Sequence, residues 1–304
     1  MNSNANIKLA DDITLPASWT PAGGTVSASQ GAASGDYPKM DISTDNPFTG
    51  ILDGNNHSIT VTVVDEQFAN GAWTGTLFAA VENAAIKNLT LNATINNSST
   101  TANIAGIAGI SNGSTYENVT VTGSNTSYRP SGITCYSVDD NFQSCDVSMA
   151  LTAQCKSGKS AIVGGLAQQI SGTSADTPVV IENCRYSGII TIDAAAGPSS
   201  VWAGAMYGGT SYEQDSSDQS IYFPLTVQDC TFSGTLNISN AGDTSVAAYG
   251  SWATETSGSK TAYFEGLLGR THKDLTVTAV QGEDSETSAA GSLTYSSSAA
   301  PTNE

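Results

Sequence analysis

The sequence predicts an all-β protein folded as a parallel β-helix of about seven coils, and two recurring motifs support this prediction. The first motif alternates apolar and polar residues around an Asn-like position, and the second places a Gly before an apolar residue. Alternation with a period of two residues is typical of strands, and a repeat every 20–50 residues is typical of a solenoid. The first motif reads "IKNLTL" (86–91), "YENVTV" (116–121), "FQSCDV" (142–147), "IENCRY" (181–186), "VQDCTF" (227–232) and "HKDLTV" (272–277).

The second motif precedes the first at a regular distance. It reads "FTGIL" (Gly50), "IAGIA" (Gly106), "PSGIT" (Gly132), "VGGLA" (Gly165), "WAGAM" (Gly204) and "FEGLL" (Gly266), and Thr76 takes the Gly position in "TGTLF". The distance from the Gly-like to the Asn-like position is 12 residues in three consecutive copies, from 76 to 88, 106 to 118 and 132 to 144. In the first copy the Asn-like position is assigned to Ser58. Repeat length varies at the turns, which favours a β-helix over a propeller with blades of near-constant length.

Equivalent positions are expected to stack into columns about 4.8 Å apart, the spacing of paired strands. Three apolar columns should form the core, one polar column should face water, and the Asn-like column should provide the bend between strands. The core columns are Ile86, Tyr116, Phe142, Ile181, Val227 and His272; Leu89, Val119, Cys145, Cys184, Cys230 and Leu275; and Leu77, Ile107, Ile133, Leu166, Ala205 and Leu267. The polar column is Lys87, Glu117, Gln143, Glu182, Gln228 and Lys273.

Composition excludes several classes of partner. Of the 304 residues, 12% are charged, and 10 Lys and Arg stand against 28 Asp and Glu, giving a net charge of −18. This charge opposes binding to phosphate backbones, so nucleic acid is not an expected partner. No apolar run reaches the ~18–20 residues that would span a bilayer, so no membrane insertion by this segment is expected. The start "MNSNANIKLADD" lacks the layout of a signal peptide, and we expect a piece of a longer secreted protein.

The motifs resemble those of the GLUG-repeat family of bacterial cell-surface proteins. "FTGILDGNNHSIT" is similar to the entry segment of that family, and "LFAAVENAAIKNLTL" and "IAGIAGISNGSTYENVTVTG" resemble its repeat units. The resemblance covers roughly residues 7–280 and implies a right-handed β-helix that serves as a secreted or surface-displayed module of an adhesin-like protein. The expected organisation is an N-terminal lead-in strand or cap at 1–30, β-helix repeats at 31–280, and a C-terminal tail or linker at 281–304.

Two insertions lengthen later copies at one edge of the array, "QQISGTSADTPV" and "GGTSYEQDSSDQSIYFPL". Insertions on one edge of a repeat array often form its binding surface. The second insertion carries aromatic and acidic groups suited to stacking on a glycan, capturing a cation or contacting a protein partner. The alternative is a solvated loop without function. The predicted binding residues are Tyr207, Tyr212, Glu213, Asp215, Asp218, Tyr222 and Phe223.

No catalytic residue, metal ligand or cofactor is predicted. The two histidines, His57 and His272, lie at opposite ends of the array, which argues against a Ser-His-Asp or two-histidine metal site. A carbohydrate-active β-helix enzyme, a polysaccharide lyase or glycoside hydrolase, remains the alternative, because "DEQ" (65–67) and "VDDN" (138–141) supply local carboxylates. A more remote alternative is an ice-binding β-helix, because Thr residues recur two apart in several "TVT" segments, although Asp146 and Arg185 interrupt that array.

Three of the five cysteines, Cys145, Cys184 and Cys230, fall in one apolar column in successive copies. Packing as small buried hydrophobic residues is one interpretation. A disulfide between neighbouring coils is the other, and it would support an extracellular location. The function predicted from the sequence is therefore a non-catalytic extracellular binding or adhesion module that contacts a glycan or protein through its edge loops.

Overall fold

The computed structural model shows a nearly all-β chain dominated by parallel sheets. It describes residues 4–30, 40–65, 67–173, 179–209, 213–214, 220–221, 225–239, 245–248, 254–255, 275–277 and 292–296. In this part of the chain the helical content is one 3-10 turn at Ala194–Ala196, capped by the Asp193 carboxylate, which accepts a hydrogen bond from the Ala195 N–H (3.0 Å). The sequence-based expectation of an all-β class with parallel pairing is confirmed.

The largest sheet, called here the long sheet, has 18 strands. Its strands pair in parallel with strands of the preceding and following repeats. Its members are β1 (Asn6–Lys8), β2 (Ile13–Thr14), β5 (Ile51–Asp53), β6 (Ser58–Val63), β9 (Ala85–Asn96), β12 (Thr115–Ser127), β15 (Asn141–Gln143), β16 (Asp146–Val147), β17 (Ala150–Ala153), β20 (Val179–Glu182), β21 (Arg185–Tyr186), β22 (Ile189–Asp193), β26 (Leu225–Gln228), β27 (Thr231–Phe232), β28 (Thr235–Ser239), β30 (Thr254–Glu255), β31 (Leu275–Val277) and β32 (Ser292–Ser296).

Two shorter parallel sheets lie beside the long sheet, and the strands of two antiparallel ribbons pair only with each other. The second sheet contains β7 (Trp73–Gly75), β10 (Asn103–Ala105), β13 (Arg129–Ser131), β18 (Ala161–Gly164), β23 (Ser200–Gly204) and β29 (Ser245–Ala248). The third sheet contains β8 (Phe78–Glu82), β11 (Ala108–Asn112), β14 (Thr134–Val138) and β19 (Ala167–Ser171). The ribbons are β3 (Thr25–Gln30) with β4 (Met40–Asp45), and β24 (Glu213–Gln214) with β25 (Ser220–Ile221).

The main hydrophobic core packs against one face of the long sheet and includes residues of the second and third sheets. The first predicted apolar column lies in it. Ile86 pairs with Tyr116, Tyr116 with Phe142, Phe142 with Ile181, and Ile181 with Val227. The rings of Tyr116 and Phe142 stack in parallel with centroids 5.1 Å apart. These side chains are almost fully buried, at 0–1% exposure. The predicted register of this column is confirmed from Ile86 to Val227.

The register differs from the prediction at both ends of the array. In the first copy Ser58 pairs with Thr90 and not with Asn88, and the N–H of Asn56 donates to the Asn88 carbonyl (2.9 Å), so Ser58 does not occupy the Asn-like position. At the other end Val277, rather than His272, pairs with Val227. The shift in the first copy has a local reason. Two adjacent asparagines in "GNNH" can both adopt the bend, and both Asn55 and Asn56 do so with positive φ.

A shift of one residue also occurs in the copy that contains Gly204. Gly204 pairs with Gly164, so Ala205 and not Gly204 stands opposite Gly165, and the Leu166 N–H donates to the Met206 carbonyl (3.1 Å). Met206 therefore takes the core position predicted for Ala205. Trp202 consequently pairs with Ile162, and its ring is half-buried against the main core.

The expected end segments both contribute strands to the long sheet. In the predicted cap at 1–30, β1 and β2 pair in parallel with β5 and β6. The 30/31 boundary falls at the end of β3 in the first ribbon. In the predicted tail at 281–304, β32 pairs in parallel with β28. Short parallel strands thus extend the stack beyond the segment in which the sequence motifs are recognisable.

Candidate binding edge

Two antiparallel ribbons leave the repeats at one shared position, at opposite ends of the third sheet. Ala22, just before the first ribbon, bridges Phe78 on β8, and Tyr207, before the second ribbon, bridges Ala167 on β19. Phe78 and Ala167 belong to one column, because each aligns through Ala108 and Thr134. Strands β8 and β19 are the two terminal strands of that sheet. Each ribbon therefore follows, in the chain, a residue that bridges a terminal strand of the third sheet at the same column.

The base of the first ribbon is fixed by glycines and by stacked rings. Gly23 and Gly24 have φ of 90° and 73°, and a Cβ on Gly24 would lie 1.4 Å from the Asp45 carbonyl oxygen. Only glycine fits this left-handed, crowded turn. The chain returns at Phe48, which bridges Val81 and stacks on Phe78 with centroids 4.7 Å apart. The glycine turn and the stacked rings therefore attach both ends of the first ribbon to the third sheet.

A small second hydrophobic cluster, called here the outer cluster, lies between the second and third sheets and supports the first ribbon. It contains no residue of the long sheet, and Val26 of β3 packs against it. The rings of Trp73 and Tyr136 meet edge to face across it at 6.3 Å. Its members are at most 9% exposed. The cluster is therefore a small packed core on which the first ribbon rests. Its members are Trp73, Ala80, Ala105, Ile110, Cys135, Tyr136 and Val138.

The predicted binding residues divide into three groups. Tyr207 is fully buried in the main core, so it cannot contact a ligand at the surface, and its assignment to the edge is corrected. Glu213 begins β24, where its backbone pairs with Ile221. The other predicted residues, Tyr212, Asp215, Asp218, Tyr222 and Phe223, lie outside the described residues. Tyr207 is buried because it lies in the same column as Phe78 and Ala167. The sequence of the insertion did not indicate this position.

The aspartates that the sequence suggested for an enzyme each accept a hydrogen bond from a different backbone N–H. Asp65 accepts a hydrogen bond from the Ser98 N–H (2.7 Å), and Asp139 accepts one from the Thr173 N–H (2.9 Å). Asp140 is fully buried. Across the described ranges, no three His, Cys, Asp or Glu side chains gather in a group that could hold a metal ion.

His57 lies in a turn beside a carboxylate with its own backbone partner. Its Nδ1 lies 3.5 Å from an oxygen of Asp12, and that carboxylate accepts the Ser58 N–H (2.7 Å). This hydrogen bond, with a smaller contribution from His57, lowers the pKa of Asp12 below its ordinary value. The pair therefore closes the turn that joins β5 to β6, which is a structural role.

The five cysteines are free thiols. The stacked Cys145, Cys184 and Cys230 each donate an S–H to a carbonyl one repeat earlier, on Tyr116 (3.4 Å), Phe142 (3.5 Å) and Ile181 (3.5 Å). Burial raises the pKa of the Cys184 thiol well above its usual range, and it raises that of the half-buried Cys155 to about 11. Reactive cysteines need a lowered pKa and solvent access, so these thiols pack as small hydrophobic residues.

The first ribbon was not predicted from the sequence. Its signals are present in the sequence: the "AGG" turn at 22–24, then two alternating segments, "TVSASQ" and "MDISTD", separated by nine residues that include Gly, Ser and Pro. Such segments are typical of a hairpin. They went unrecognised because they precede the first recognisable Gly motif at Gly50.

Comparisons with protein-family models, with curated proteins and with solved structures found no match to this chain. The described residues include no helix that is both long and apolar enough to cross a membrane.

Proposed function

We propose that this chain is a right-handed parallel β-helix of about seven coils that acts as a non-catalytic extracellular binding or adhesion module. The proposal extends to a longer bacterial surface protein of which this chain is one part, as the resemblance to GLUG repeats implies. The binding surface in this proposal is the edge from which the two ribbons leave.

The order in which the strands of each repeat contribute to the three sheets supports a β-helix fold. In one repeat the chain passes through β7 in the second sheet, β8 in the third and β9 in the long sheet. The next repeat follows the same order through β10, β11 and β12. Each of these strands pairs in parallel with its counterpart, as required if successive repeats stack as coils.

The shared exit position of the two ribbons is the observation that carries the binding proposal. A repeat array that acts only as a spacer between other domains does not require insertions. Here two insertions occur at the same column, one at each end of the third sheet. Insertions placed on one face of a solenoid are where binding residues concentrate. The second insertion offers aromatic rings for stacking on sugars, Tyr212, Tyr222 and Phe223, and acidic groups, Glu213, Asp215 and Asp218.

A glycan-array screen tests the proposal. The wild-type chain is compared with a variant in which Ser211–Tyr222 is replaced by a short Gly-Ser turn. A matched variant, in which residues 31–39 between β3 and β4 are replaced by the same turn, serves as the control for shortening a ribbon. We expect the wild type to bind at least one glycan class and the first variant to lose at least ten-fold in affinity.

Each outcome of the screen has a clear meaning, provided that circular dichroism shows all three proteins folded. Loss in the first variant alone assigns binding to the second ribbon, and loss in both assigns it to the whole edge. Equal glycan binding by all three proteins would overturn the proposed surface. If the wild type binds no glycan, the same three proteins are tested against host and bacterial surface proteins, and absence of binding there would overturn the module function.

A further inference from the structure

Five fully buried polar side chains form a cluster on the inner side of the corner between the third sheet and the long sheet. Strands β11 and β14 contribute one serine each, which are neighbours in the sheet, and β12 contributes a tyrosine. The remaining two residues follow the corner itself. All five have 0% exposure: Ser111, Ser114, Tyr116, Ser137 and Asp140.

Asp140 is the centre of this cluster. Its Oδ1 accepts the Ser114 N–H (2.7 Å), and its Oδ2 accepts the Ser137 hydroxyl (2.6 Å). Ser111 makes a further hydrogen bond to the carboxyl, and the Tyr116 hydroxyl donates to Ser111 Oγ (2.9 Å). The carboxyl thus holds the backbone of one repeat to the side chain of the next. In the preceding repeat the Ala84 N–H is satisfied in the same way by Ser114 Oγ (3.1 Å).

No cation among the described residues pairs with Asp140. Asp139, beside it in the chain, adds a like charge, and Tyr116 on β12 is a neutral phenol whose own pKa is held well above its usual range by burial. Desolvation is the largest influence on Asp140 and raises its pKa to about 7, against the opposing effect of the hydrogen bonds from Ser137 and Ser114. A buried carboxylate without a positive partner is costly, and a neutral carboxyl at this site is much less so.

We propose that Asp140 is a proton-linked switch of the fold, which holds two repeats together at this corner as a neutral carboxyl and loosens them when it ionises. The switch rests on the burial of the cluster: the Asp140 carboxyl has 0% exposure and no cation partner among the described residues, and the hydrogen bonds that it accepts from Ser137 and Ser114 offset the loss of solvent only in part. It is independent of any ligand that the ribbons bind.

The direction of the pH effect follows from the two states of the carboxyl. In the unfolded chain the carboxyl has the ordinary pKa of 3.8, and in the folded chain the value is about 7. Between these values the folded state binds more protons, so stability falls as pH rises through this window and the full penalty is present above pH 7. Three pKa units correspond to a change of up to about 1,000-fold in the ratio of folded to unfolded protein.

Urea unfolding followed by circular dichroism from pH 4.5 to 8.5 tests the switch in three proteins. The wild type should lose stability across this range. Asp140→Asn should lose much less and should exceed the wild type at pH 8, because an amide keeps the acceptor for Ser114 and carries no charge. Glu117→Gln, an exposed change on β12, is the control and should follow the wild-type profile.

A direct titration keeps the test decisive if Asp140→Asn fails to fold. The ¹³Cγ chemical shift of Asp140 in the folded wild-type protein should titrate with a midpoint near 7. In Ser137→Ala, which lacks one donor to the carboxylate, the midpoint should rise further. A midpoint near 4 in the wild type would overturn the proposal, as would an Asp140→Asn protein whose stability depends on pH in the same way as the wild type.

Discussion

Two corners of each repeat turn the chain by different physical means. At the asparagine corner, within the long sheet, the turning residue adopts the left-handed conformation, with φ between 50° and 54° at Asn88, Asn118, Ser144, Asn183 and Asp229. At the glycine corner, between the second and third sheets, Gly106, Gly132 and Gly165 have no positive φ. There the requirement is space: a Cβ on each would lie 2.1, 2.1 and 1.8 Å from a carbonyl oxygen of the next repeat.

The difference shows that one corner depends on backbone conformation and the other on close approach. Asn, Asp and Ser share the asparagine corner because a short polar side chain in the left-handed region costs little, and Asn118 even donates to Asn88 Oδ1 (3.0 Å). The glycine corner excludes side chains in the middle of the stack. It accepts Thr76 and Ala205 only toward its ends, and at Thr76 the N–H is shared between the carbonyls of Ala105 and Gly106.

The largest effect should come from filling the glycine corner. In Gly132→Ala the new methyl group would lie 2.1 Å from the Gly165 oxygen and 2.7 Å from Val147 Cγ1, so backbone and core must shift. We expect a loss of about 3 kcal/mol in the free energy of unfolding, measured by urea denaturation. Gly158→Ala is the control: its φ is +65° and no atom lies within 4 Å of the new Cβ, so it should lose only about 1 kcal/mol. Equal losses in the two variants would remove the distinction between the corners.

A smaller effect is expected at the asparagine corner. Asn118 is exposed, so Asn118→Ala removes little packing, but alanine in the left-handed region should cost about 1 kcal/mol. Asn118→Gly should change the free energy of unfolding by less than about 0.5 kcal/mol, because glycine adopts this conformation freely. Urea unfolding of both variants measures the contrast. If glycine proved as damaging as alanine, the side-chain hydrogen bond to Asn88 rather than backbone conformation would be what stabilises this corner.

The smallest predicted effect is a gain. Ser144 is an exposed member of the asparagine corner with φ of 54°, a conformation that serine adopts less readily than asparagine. Ser144→Asn should raise the free energy of unfolding by about 0.5 kcal/mol. A differential scanning calorimetry comparison with Ser148→Asn, an exposed position without positive φ, controls for the change of side chain. A gain at position 148 and none at 144 would contradict the conformational account.

The sequence predicts the middle of the stack better than its ends. From Thr76 to Asn183 the Gly-like and Asn-like positions align in one way only, so the alternation of apolar residues predicts which side chains enter the core, and the paired columns confirm it. In the first copy and at Met206 the motif allows two alignments, and hydrogen bonds to a neighbouring repeat, the next one in the first copy and the preceding one at Met206, select one of them. The second left-handed column, Asn83, Gly113 and Asp139, was not predicted, because these three residues share conformation rather than residue type.

The candidate binding edge was predicted only in part. The sequence indicated the second ribbon by its length and composition, but it could not show that Tyr207 enters the core or that the first ribbon leaves from the same column. It also presented Asp140 as one of a pair of local carboxylates. The burial of Asp140 depends on Ser111 and Ser137, which come from two neighbouring strands and meet only in the folded chain.

The stacking of successive repeats is the central claim, and distances between spin labels along the polar column test it most directly. Labels on Lys8 and on Gln143, Glu182 or Gln228 are separated by four, five and six strand pairings, respectively. Cys155→Ser is the background, because the other four thiols are buried. Pulsed electron resonance should give distances near 19, 24 and 29 Å, rising by about 4.8 Å per repeat. Distances that fail to rise in this order would contradict the stacked arrangement.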